Sequence, residues 1–171
     1  MRRLLLVRHA KAEPAVGRDD YDRKLTQRGR EDAEAMAAAL FARNMLPEVL
    51  IHSGAARAME TAEIFAAVWK HDVPLEKDVR IYDASASTLL ALGRALPGSR
   101  KRVALVGHNP GLGELALSLA SSNESDEWRR MARKFPTCAV AGMDFRVQAW
   151  EELARGEGLV SLYLTPGEVE A

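Results

Sequence analysis

Hydrophobic residues in this chain occur in short continuous runs that end abruptly at charged or polar residues. The first run, residues 4–7, has no polar alternation and is followed at once by Arg8 and His9. A short run of this kind is typical of a strand that is buried on both faces of a parallel sheet. Ligands of such sheets bind just beyond the carboxyl ends of the strands, which is where Arg8 and His9 lie.

Two further runs repeat this pattern. Residues 49–51 are apolar and are followed by His52 and Ser53. After Arg102, residues 103–106 form another apolar run, which precedes Gly107 and His108. Both are predicted to be strands of the same sheet. Three predicted strands therefore end in polar side chains that can take part in chemistry.

Apolar residues recur at helical spacing in the segment after the first polar loop. Thr26 is predicted to cap a helix that runs to about Arg43, with Phe41 on its apolar face. Gly29 in the first turn has a poor helix propensity, which indicates a close approach of another backbone segment.

Three more helices are predicted from the same spacing. The second covers residues 55–65, with Met59 in its buried stripe. Ser87 is predicted to cap the third helix. Asn109 is predicted to cap the fourth, with Pro110 at its first helical position.

The last third of the chain has a different character. Residues 138–147 and 159–164 are rich in β-formers and are predicted to pair as a hairpin-like unit, after a short helix around Trp128. Residues 73–75 and 79–82 are predicted to be short extended pieces. The alternation of strands and helices before this point predicts an α/β fold with a mostly parallel sheet.

Length and composition narrow the class of protein. The 171 residues predict a single domain over residues 1–171. Lys plus Arg and Asp plus Glu number 24 each, which argues against a nucleic-acid or membrane-surface partner held by bulk charge. The single cysteine, Cys138, fits a reducing compartment and is expected to be a buried structural thiol. No run reaches membrane-spanning length and the N-terminal run is too short for a signal peptide, so a cytoplasmic location is expected.

The three strand ends predict one anion-binding site. If the strands are parallel neighbours, Arg8, His9, Ser53, Arg57 and His108 meet at one edge of the sheet. Guanidinium groups and helix N-termini favour phosphate or carboxylate at such an edge. Because the chain has no paired carboxylates or catalytic cysteine at this edge, histidine is the natural nucleophile.

Several motifs in this order resemble one known family. They are Arg8-His9, Leu25-Thr26-x-x-Gly29, Ser53-x-x-x-Arg57-Ala58-x-x-Thr61-Ala62, and Gly107-His108-Asn109-Pro110-Gly111-Leu112. Together they resemble the histidine phosphatase superfamily, whose fold is phosphoglycerate-mutase-like, and within it the SixA-type phosphohistidine phosphatases. The resemblance implies a three-layer α/β/α sandwich with a mostly parallel central sheet and no large cap insertion.

The resemblance also implies a role for each motif residue. His9 would attack phosphorus and become transiently phosphorylated, while Arg8, Arg57 and His108 would hold the phosphoryl oxygens and stabilise the charge of the transition state. The substrate-binding side chains would be Arg8, Ser53, Arg57, His108 and Asn109. No metal or organic cofactor is expected, because the arginines and a protonated histidine supply positive charge. One departure is Ala10, which stands where the family usually has glycine, and its methyl group could crowd the loop.

The leaving group decides between substrates. Hydrolysis of a phosphate ester normally needs a general acid. Asp83 is the best-placed carboxyl group, and Glu13 and Asp19 or Asp20 are weaker candidates. A phosphohistidine P–N bond breaks more easily, because the imidazole can leave already protonated. An open site in which no carboxyl group is established as the acid therefore favours a protein phosphohistidine over a small sugar phosphate.

Two other functions stay open at the level of sequence. The first is a phosphomonoesterase for a small phosphorylated metabolite. The second is a non-catalytic module that binds a phosphorylated partner through the same arginines. The expected partner is a phosphorylated protein or a small phosphorylated substrate, and the expected oligomeric state is a monomer or a weak dimer.

Overall fold

Six strands form one central sheet. A computed structural model describes residues 1–169 of the chain. The strands are β1 (Arg2–Arg8), β2 (Val49–His52), β3 (Leu75–Lys77), β4 (Arg102–Gly107), β5 (Val140–Phe145) and β6 (Leu159–Leu164). Their spatial order is β3-β2-β4-β1-β5-β6.

The first four strands are parallel, β5 runs against them, and β6 runs in the same direction as the first four. β1 pairs with β4, β4 with β2, and β2 with β3, all in parallel, whereas β5 is antiparallel to β1 and to β6. The register places Arg8 opposite Gly107, and His52 opposite Val106. The three polar strand ends therefore meet at one edge of the sheet, as the sequence predicts.

Helices cover both faces of the sheet. They are α1 (Gln27–Ala42), α2 (Ala56–Trp69), α3 (Ala86–Arg94), α4 (Gly111–Leu119), α5 (Asp126–Arg133) and α6 (Pro166–Val169). One apolar core joins the sheet to α1 and α2, and a second joins its other face to α3, α4 and α5. This arrangement confirms the predicted three-layer α/β/α sandwich. Among the described helices, none is both long enough and apolar enough to cross a membrane.

Strand β1 is buried on both sides. Leu4 and Leu6 face the core of α3 and α4, and Leu5 and Val7 face that of α1 and α2, each at most 1% exposed. Burial of each such side chain contributes about 1.5–3 kcal/mol to folding. This burial explains the continuous apolar run, and it fixes the point at which Arg8 leaves the sheet.

Two predicted helix starts are wrong by a few residues. Ser85 caps α3, because its hydroxyl accepts a hydrogen bond from the Thr88 amide at 3.2 Å, so Ser87 is not the cap. α4 begins at Gly111 with Pro110 at the capping position, one residue later than predicted. The Asn109 side chain still accepts from the Gly113 amide at 3.0 Å, so it stabilises the first turn from outside it.

Two predicted core residues are exposed. Phe41 on α1 is 52% exposed and Met59 on α2 is 37% exposed. In α2 the buried stripe is shifted by one position, and Arg57, Ala58, Thr61, Ala62 and Phe65 are among its members. The apolar pattern predicts a buried Met59 rather than a buried Arg57. In the structure Arg57 is buried instead, because its side chain belongs to the cluster at the strand ends.

The region after α2 is only partly extended. β3 is a short edge strand over Leu75–Lys77, whereas residues 79–81 form a 3-10 turn in place of the predicted extended piece. The side chain of Asp78 caps this turn by accepting from the Arg80 amide at 3.0 Å. This local hydrogen bond explains why the β-branched residues there do not form a strand.

Thr26 caps α1 as predicted, and Gly29 has the predicted close contact. A Cβ at Gly29 would lie 2.1 Å from the Lys11 carbonyl oxygen, which itself accepts from the Thr26 amide at 3.0 Å. Gly29→Ala is therefore expected to lower the free energy of unfolding by about 1–3 kcal/mol in urea titrations. The matched control is Gly98→Ala, since no atom lies within 4 Å of its added Cβ. Equal stabilities of the two variants would contradict this packing.

Candidate active site

The backbone of His9 is held from two sides at the carboxyl end of β1. The His9 amide donates to the Gly107 carbonyl at 3.1 Å, and the Cys138 amide donates to the carbonyls of Arg8 and His9 at 3.1 and 3.0 Å. The His9 side chain is 7% exposed. The histidine therefore leaves the sheet at a fixed place and stays largely shielded from water. Cys138 is buried beside it, as expected of a structural thiol.

The surroundings of the His9 ring select one tautomer. Nδ1 lies 2.7 Å from the Ala10 carbonyl oxygen, which can only accept a hydrogen bond. Nδ1 therefore carries the hydrogen. Arg57 Nε donates to His9 Nε2 at 3.3 Å, which requires a lone pair on Nε2. Nε2 is thus the nucleophilic nitrogen of a neutral imidazole.

Burial keeps His9 neutral. Desolvation lowers the pKa of His9 to about 3, and the nearby His108, Arg57 and Arg8 lower it further, against the opposing hydrogen bond to Ala10. At neutral pH the ring is therefore uncharged, and its lone pair is available without a separate base.

Ala10 fits where the family usually has glycine. Its methyl group is fully buried in the core with α1 and α2, and its amide donates to Thr61 Oγ1 at 3.0 Å. The Thr61 hydroxyl in turn donates to the Arg57 carbonyl at 2.7 Å. The predicted crowding is absent, because Ala10 packs into the core and its amide is tied to α2.

Arg57, in the first turn of α2, is buried and makes hydrogen bonds from three of its nitrogens. Besides the bond to His9, Nη1 donates to the Asp20 carbonyl oxygen at 2.7 Å and Nη2 donates to Asp20 Oδ2 at 2.9 Å. Hydrogen bonds from Tyr82, Arg23 and Arg57 hold the pKa of Asp20 well below its usual range. Asp20 is therefore an ionised carboxylate at the outer end of the arginine.

His108 is held by Ser53. Ser53 Oγ lies 2.7 Å from His108 Nε2 and also accepts from the Ala55 amide at 3.3 Å. The hydroxyl proton finds an acceptor if Ser53 donates to Nε2, which leaves the hydrogen of His108 on Nδ1. Burial lowers the pKa of His108 to about 4, with Arg57 as the next cause, so this ring is neutral at pH 7. From the sequence, a protonated histidine is expected here. In the structure His108 is neutral and offers its Nδ1 hydrogen as a donor.

Two buried nitrogens beside His9 have no hydrogen-bond partner among the described residues. They are Arg8 Nε and His108 Nδ1. Unpaired buried donors are costly unless a ligand satisfies them. The rings of His108 and His9 have centroids 5.1 Å apart. Two donors next to a nucleophile form an arrangement that suits the oxygens of a phosphoryl group.

Arg8 and Asn109 are fixed by one backbone carbonyl. Arg8 Nη1 and Asn109 Nδ2 each donate to the Phe135 carbonyl oxygen at 2.9 Å. Burial lowers the pKa of Arg8, but a guanidinium remains charged at neutral pH. The amide of Asn109 therefore points at the protein backbone, where it orients the loop between β4 and α4.

Asp83 lies at the margin of this cluster. Its side chain is exposed, its backbone has a positive φ of 55°, and it lines a pocket of about 210 Å³ together with His108, Asn109 and Glu114. Asp20, the weaker candidate from sequence, makes the direct contact with Arg57.

Tyr82 is a site residue that the sequence reading missed. Its ring meets that of His108 edge-on at 5.4 Å, and its hydroxyl donates to Asp20 Oδ2. Tyr21 packs edge-on against Tyr82 at 5.1 Å. Tyr82 directly precedes the candidate acid Asp83, but the sequence gives no signal for it, because its pattern predicts an extended piece where the chain forms a 3-10 turn.

The remaining histidines lie outside the cluster. His52 is buried at the end of β2 and accepts from the Gly54 amide at 3.1 Å, which is a structural role. His71 is exposed. Within residues 1–169, no three His, Cys, Asp or Glu side chains are close enough together to hold a metal ion.

The two neutral histidines predict an acid-sensitive fold. Their folded pKa values lie near 3 for His9 and 4 for His108, below the usual 6.5, so between these values the unfolded chain binds more protons. Stability should fall as pH drops through this window, by up to about 1.4 kcal/mol per pH unit and histidine. Urea unfolding from pH 6.5 to 5 measures this slope, which should be shallower in His9→Asn. An unchanged slope in that variant would contradict the assigned neutral state.

Comparisons with known proteins agree with this geometry. The family model of the histidine phosphatase superfamily (branch 1) matches residues 4–90. An uncharacterised protein of Mycobacterium tuberculosis is 31% identical over 137 residues, which cover 79% of this chain and 84% of that protein.

Two solved structures of proteins assigned as the phosphohistidine phosphatase SixA are also similar. The one from Agrobacterium tumefaciens is 28% identical, with a TM-score of 0.81 over 96% of this chain and 98% of that chain. The one from Nakamurella multipartitia is 27% identical, with a TM-score of 0.79 over 96% of each chain. These matches confirm the resemblance carried by the strand-end motifs. The chain belongs to the histidine phosphatase superfamily.

Proposed function

We propose that this phosphatase hydrolyses protein phosphohistidine through a covalent phosphate on His9 Nε2. The observation that carries the proposal is the fixed tautomer of His9, with Nδ1 held by the Ala10 carbonyl at 2.7 Å and Nε2 facing Arg57 Nε at 3.3 Å. A neutral, oriented imidazole beside two guanidinium groups suits attack on phosphorus.

In the first step the His9 Nε2 lone pair forms a bond to phosphorus while the bond to the leaving group breaks. The electron pair of the broken bond goes to the leaving atom. The guanidinium groups of Arg8 and Arg57 and the Nδ1 hydrogen of His108 stabilise the charge on the phosphoryl oxygens. These donors are fixed by protein contacts before the substrate arrives, so they need little reorganisation.

In the second step water attacks the phosphorus and the N–P bond of His9 breaks. The electron pair returns to Nε2, and His9 leaves as a neutral imidazole because Nδ1 has kept its hydrogen against Ala10. This half of the reaction needs no acid for the leaving group. Ser53 and Asn109 are proposed to act indirectly, Ser53 by holding His108 and Asn109 by sharing the Phe135 carbonyl with Arg8.

The open mouth of the site supports a protein substrate. Between Arg57 and β4 the chain forms only the rest of α2, the edge strand β3, a 3-10 turn and α3, with no separate cap over the site. The similar structures from Agrobacterium tumefaciens and Nakamurella multipartitia are assigned as phosphohistidine phosphatases. We further propose a phosphorylated protein as the partner, a cytoplasmic location, and a monomer or weak dimer as the working form.

A phosphomonoesterase for a small metabolite is the second candidate. Asp83 favours it, because an exposed carboxyl group shares the 210 Å³ pocket with His108 and could protonate an ester oxygen. In that case Asp83→Asn would slow the hydrolysis of esters with poor leaving groups and leave phosphohistidine unaffected.

The experiment that separates the two candidates compares kcat/KM for a protein phosphorylated on histidine with that for phosphoserine and sugar phosphates. The value of kcat/KM for the protein phosphohistidine is expected to be at least about tenfold higher than that for the small esters. A faster reaction with the small esters would refute the phosphohistidine assignment and favour Asp83 as general acid.

A further inference from the structure

Five side chains, the nucleophile among them, form a closed ring of contacts that we call the collar. In order they are His9, His108, Tyr82, Asp20 and Arg57. The first three are joined by ring contacts with centroids 5.1 and 5.4 Å apart. Tyr82 and Arg57 both donate to the same Asp20 oxygen, Arg57 at 2.9 Å, and Arg57 Nε closes the collar at His9 Nε2.

Asp20 is the member of the collar that faces solvent. Its side chain is 48% exposed, whereas the Arg57 side chain is 7% exposed. The Asp20 carboxylate is therefore one guanidinium group away from His9 Nε2. A leaving group carried by another protein has to approach from solvent, and the half-exposed Asp20 can be reached from there.

Cleavage of a P–N bond has a specific hydrogen-bonding need. A phosphohistidine that is protonated on its distal ring nitrogen loses the phosphoryl group as a neutral imidazole, with the electron pair of the P–N bond on the leaving nitrogen. No proton moves during this step, but the distal N–H must be kept in place by an acceptor. His9 has such an acceptor in the Ala10 carbonyl at 2.7 Å. The substrate imidazole needs an equivalent acceptor on the other side of the phosphorus.

We propose that Asp20 is this acceptor: its carboxylate binds the distal N–H of the substrate imidazole and selects nitrogen over oxygen leaving groups. The proposal rests on the proposed phosphohistidine function and adds a specificity residue to it. Tyr82 and Arg57 hold the carboxylate in place from within the collar, and Tyr82 also offers its ring to the incoming imidazole.

The ionised state of Asp20 fits this role and excludes another. Hydrogen bonds from Tyr82, Arg23 and Arg57 hold its pKa well below the usual range, so it carries no proton at neutral pH. A carboxylate can accept from an imidazolium N–H, which is a charge-assisted hydrogen bond. It cannot protonate an ester oxygen, which is what a general acid for phosphomonoesters must do.

The test is Asp20→Asn, assayed with a histidine-phosphorylated protein and with 4-nitrophenyl phosphate. The nitrophenolate leaves without assistance, and asparagine keeps an oxygen that can accept from Arg57. We expect kcat/KM for the phosphoprotein to fall by about 10- to 100-fold, the value of one charge-assisted hydrogen bond, and that for the nitrophenyl ester to change by less than about threefold. Asp20→Glu should restore part of the lost rate.

Asp22→Asn is the matched control, because Asp22 is an exposed carboxylate in the same 3-10 turn, Asp20–Asp22. It should leave both substrates unchanged. Equal losses on both substrates in Asp20→Asn would mean that Asp20 only positions Arg57, and gains on both with tighter tungstate binding would mean that it competes with the phosphoryl group. Either result overturns the inference alone. A wild-type protein without phosphohistidine activity overturns the proposed function, and this inference with it.

Discussion

His9→Ala is expected to lower turnover of every phosphorylated substrate by at least about 10⁴-fold. The substitution removes Nε2, the nitrogen to which Arg57 Nε donates, beside buried donors of Arg8 and His108 that have no partner within residues 1–169. Water alone would then have to attack a phosphoryl group that is still bound but has no nucleophile next to it. Steady-state kinetics with a phosphoprotein and with 4-nitrophenyl phosphate measure the loss.

The control is His71→Ala, which removes an exposed histidine outside the site and should leave both rates unchanged. Circular dichroism and urea unfolding show whether His9→Ala is folded, and His9→Asn gives a second variant of closer size. Tungstate or phosphate binding should persist in both His9 variants, because the arginines remain. Turnover that is undiminished in folded His9→Ala would contradict the covalent mechanism and favour a different nucleophile. Absence of turnover in the wild type would favour the non-catalytic phosphate-binding module.

Arg57→Ala is expected to have the second largest effect, a loss of about 10³-fold in kcat/KM on nitrogen- and oxygen-linked substrates alike. Arg57 both contacts His9 Nε2 and supplies buried positive charge where the phosphoryl oxygens gather. Its removal also leaves Asp20 without one of its cationic partners, so a negative charge then faces the anionic substrate.

Arg57→Lys tests whether the site needs only the positive charge of Arg57 or also the forked shape of its guanidinium group. Lysine keeps the charge but has no Nε and no fork, so it cannot contact His9 and Asp20 together, and we expect it to recover only part of the rate. Arg129→Ala, on the exposed face of α5, is the control for the loss of one arginine. Full activity in Arg57→Lys would mean that only the charge of Arg57 matters, whereas an unchanged rate in Arg57→Ala would remove it from the site.

The sequence predicts the fold well where the apolar pattern is unambiguous. Residues 4–7 have to be buried on both faces, so their strand follows from patterning. Once β4 is its parallel neighbour, the register places Arg8 opposite Gly107, next to His108. The α1 cap at Thr26 and the tight contact at Gly29 are also visible as local signals. The single-domain assignment and the catalytic role of each site residue stay predictions.

The collar could not be predicted in full, because it depends on two segments without periodicity. Asp20 is one of several acidic residues in a polar loop, and only the position of that loop over α2 brings it to Arg57. Tyr82 reaches the site from a 3-10 turn that is fixed by Asp78, a side chain-to-backbone bond that competes with the strand propensity of Val79 and Ile81. The protonation states of His9 and His108 depend on how deeply the two rings are buried, and the sequence motifs do not indicate this depth.

The most direct test of the account is to find where the phosphate is during turnover. The wild-type protein is mixed with a histidine-phosphorylated protein, quenched in base within milliseconds to seconds, and digested for peptide mass spectrometry under conditions that preserve phosphohistidine. We expect an acid-labile, base-stable phosphate on His9 that appears before free phosphate and is absent in His9→Ala. Release of phosphate with no labelled His9, at any quench time or at lowered temperature, would contradict it.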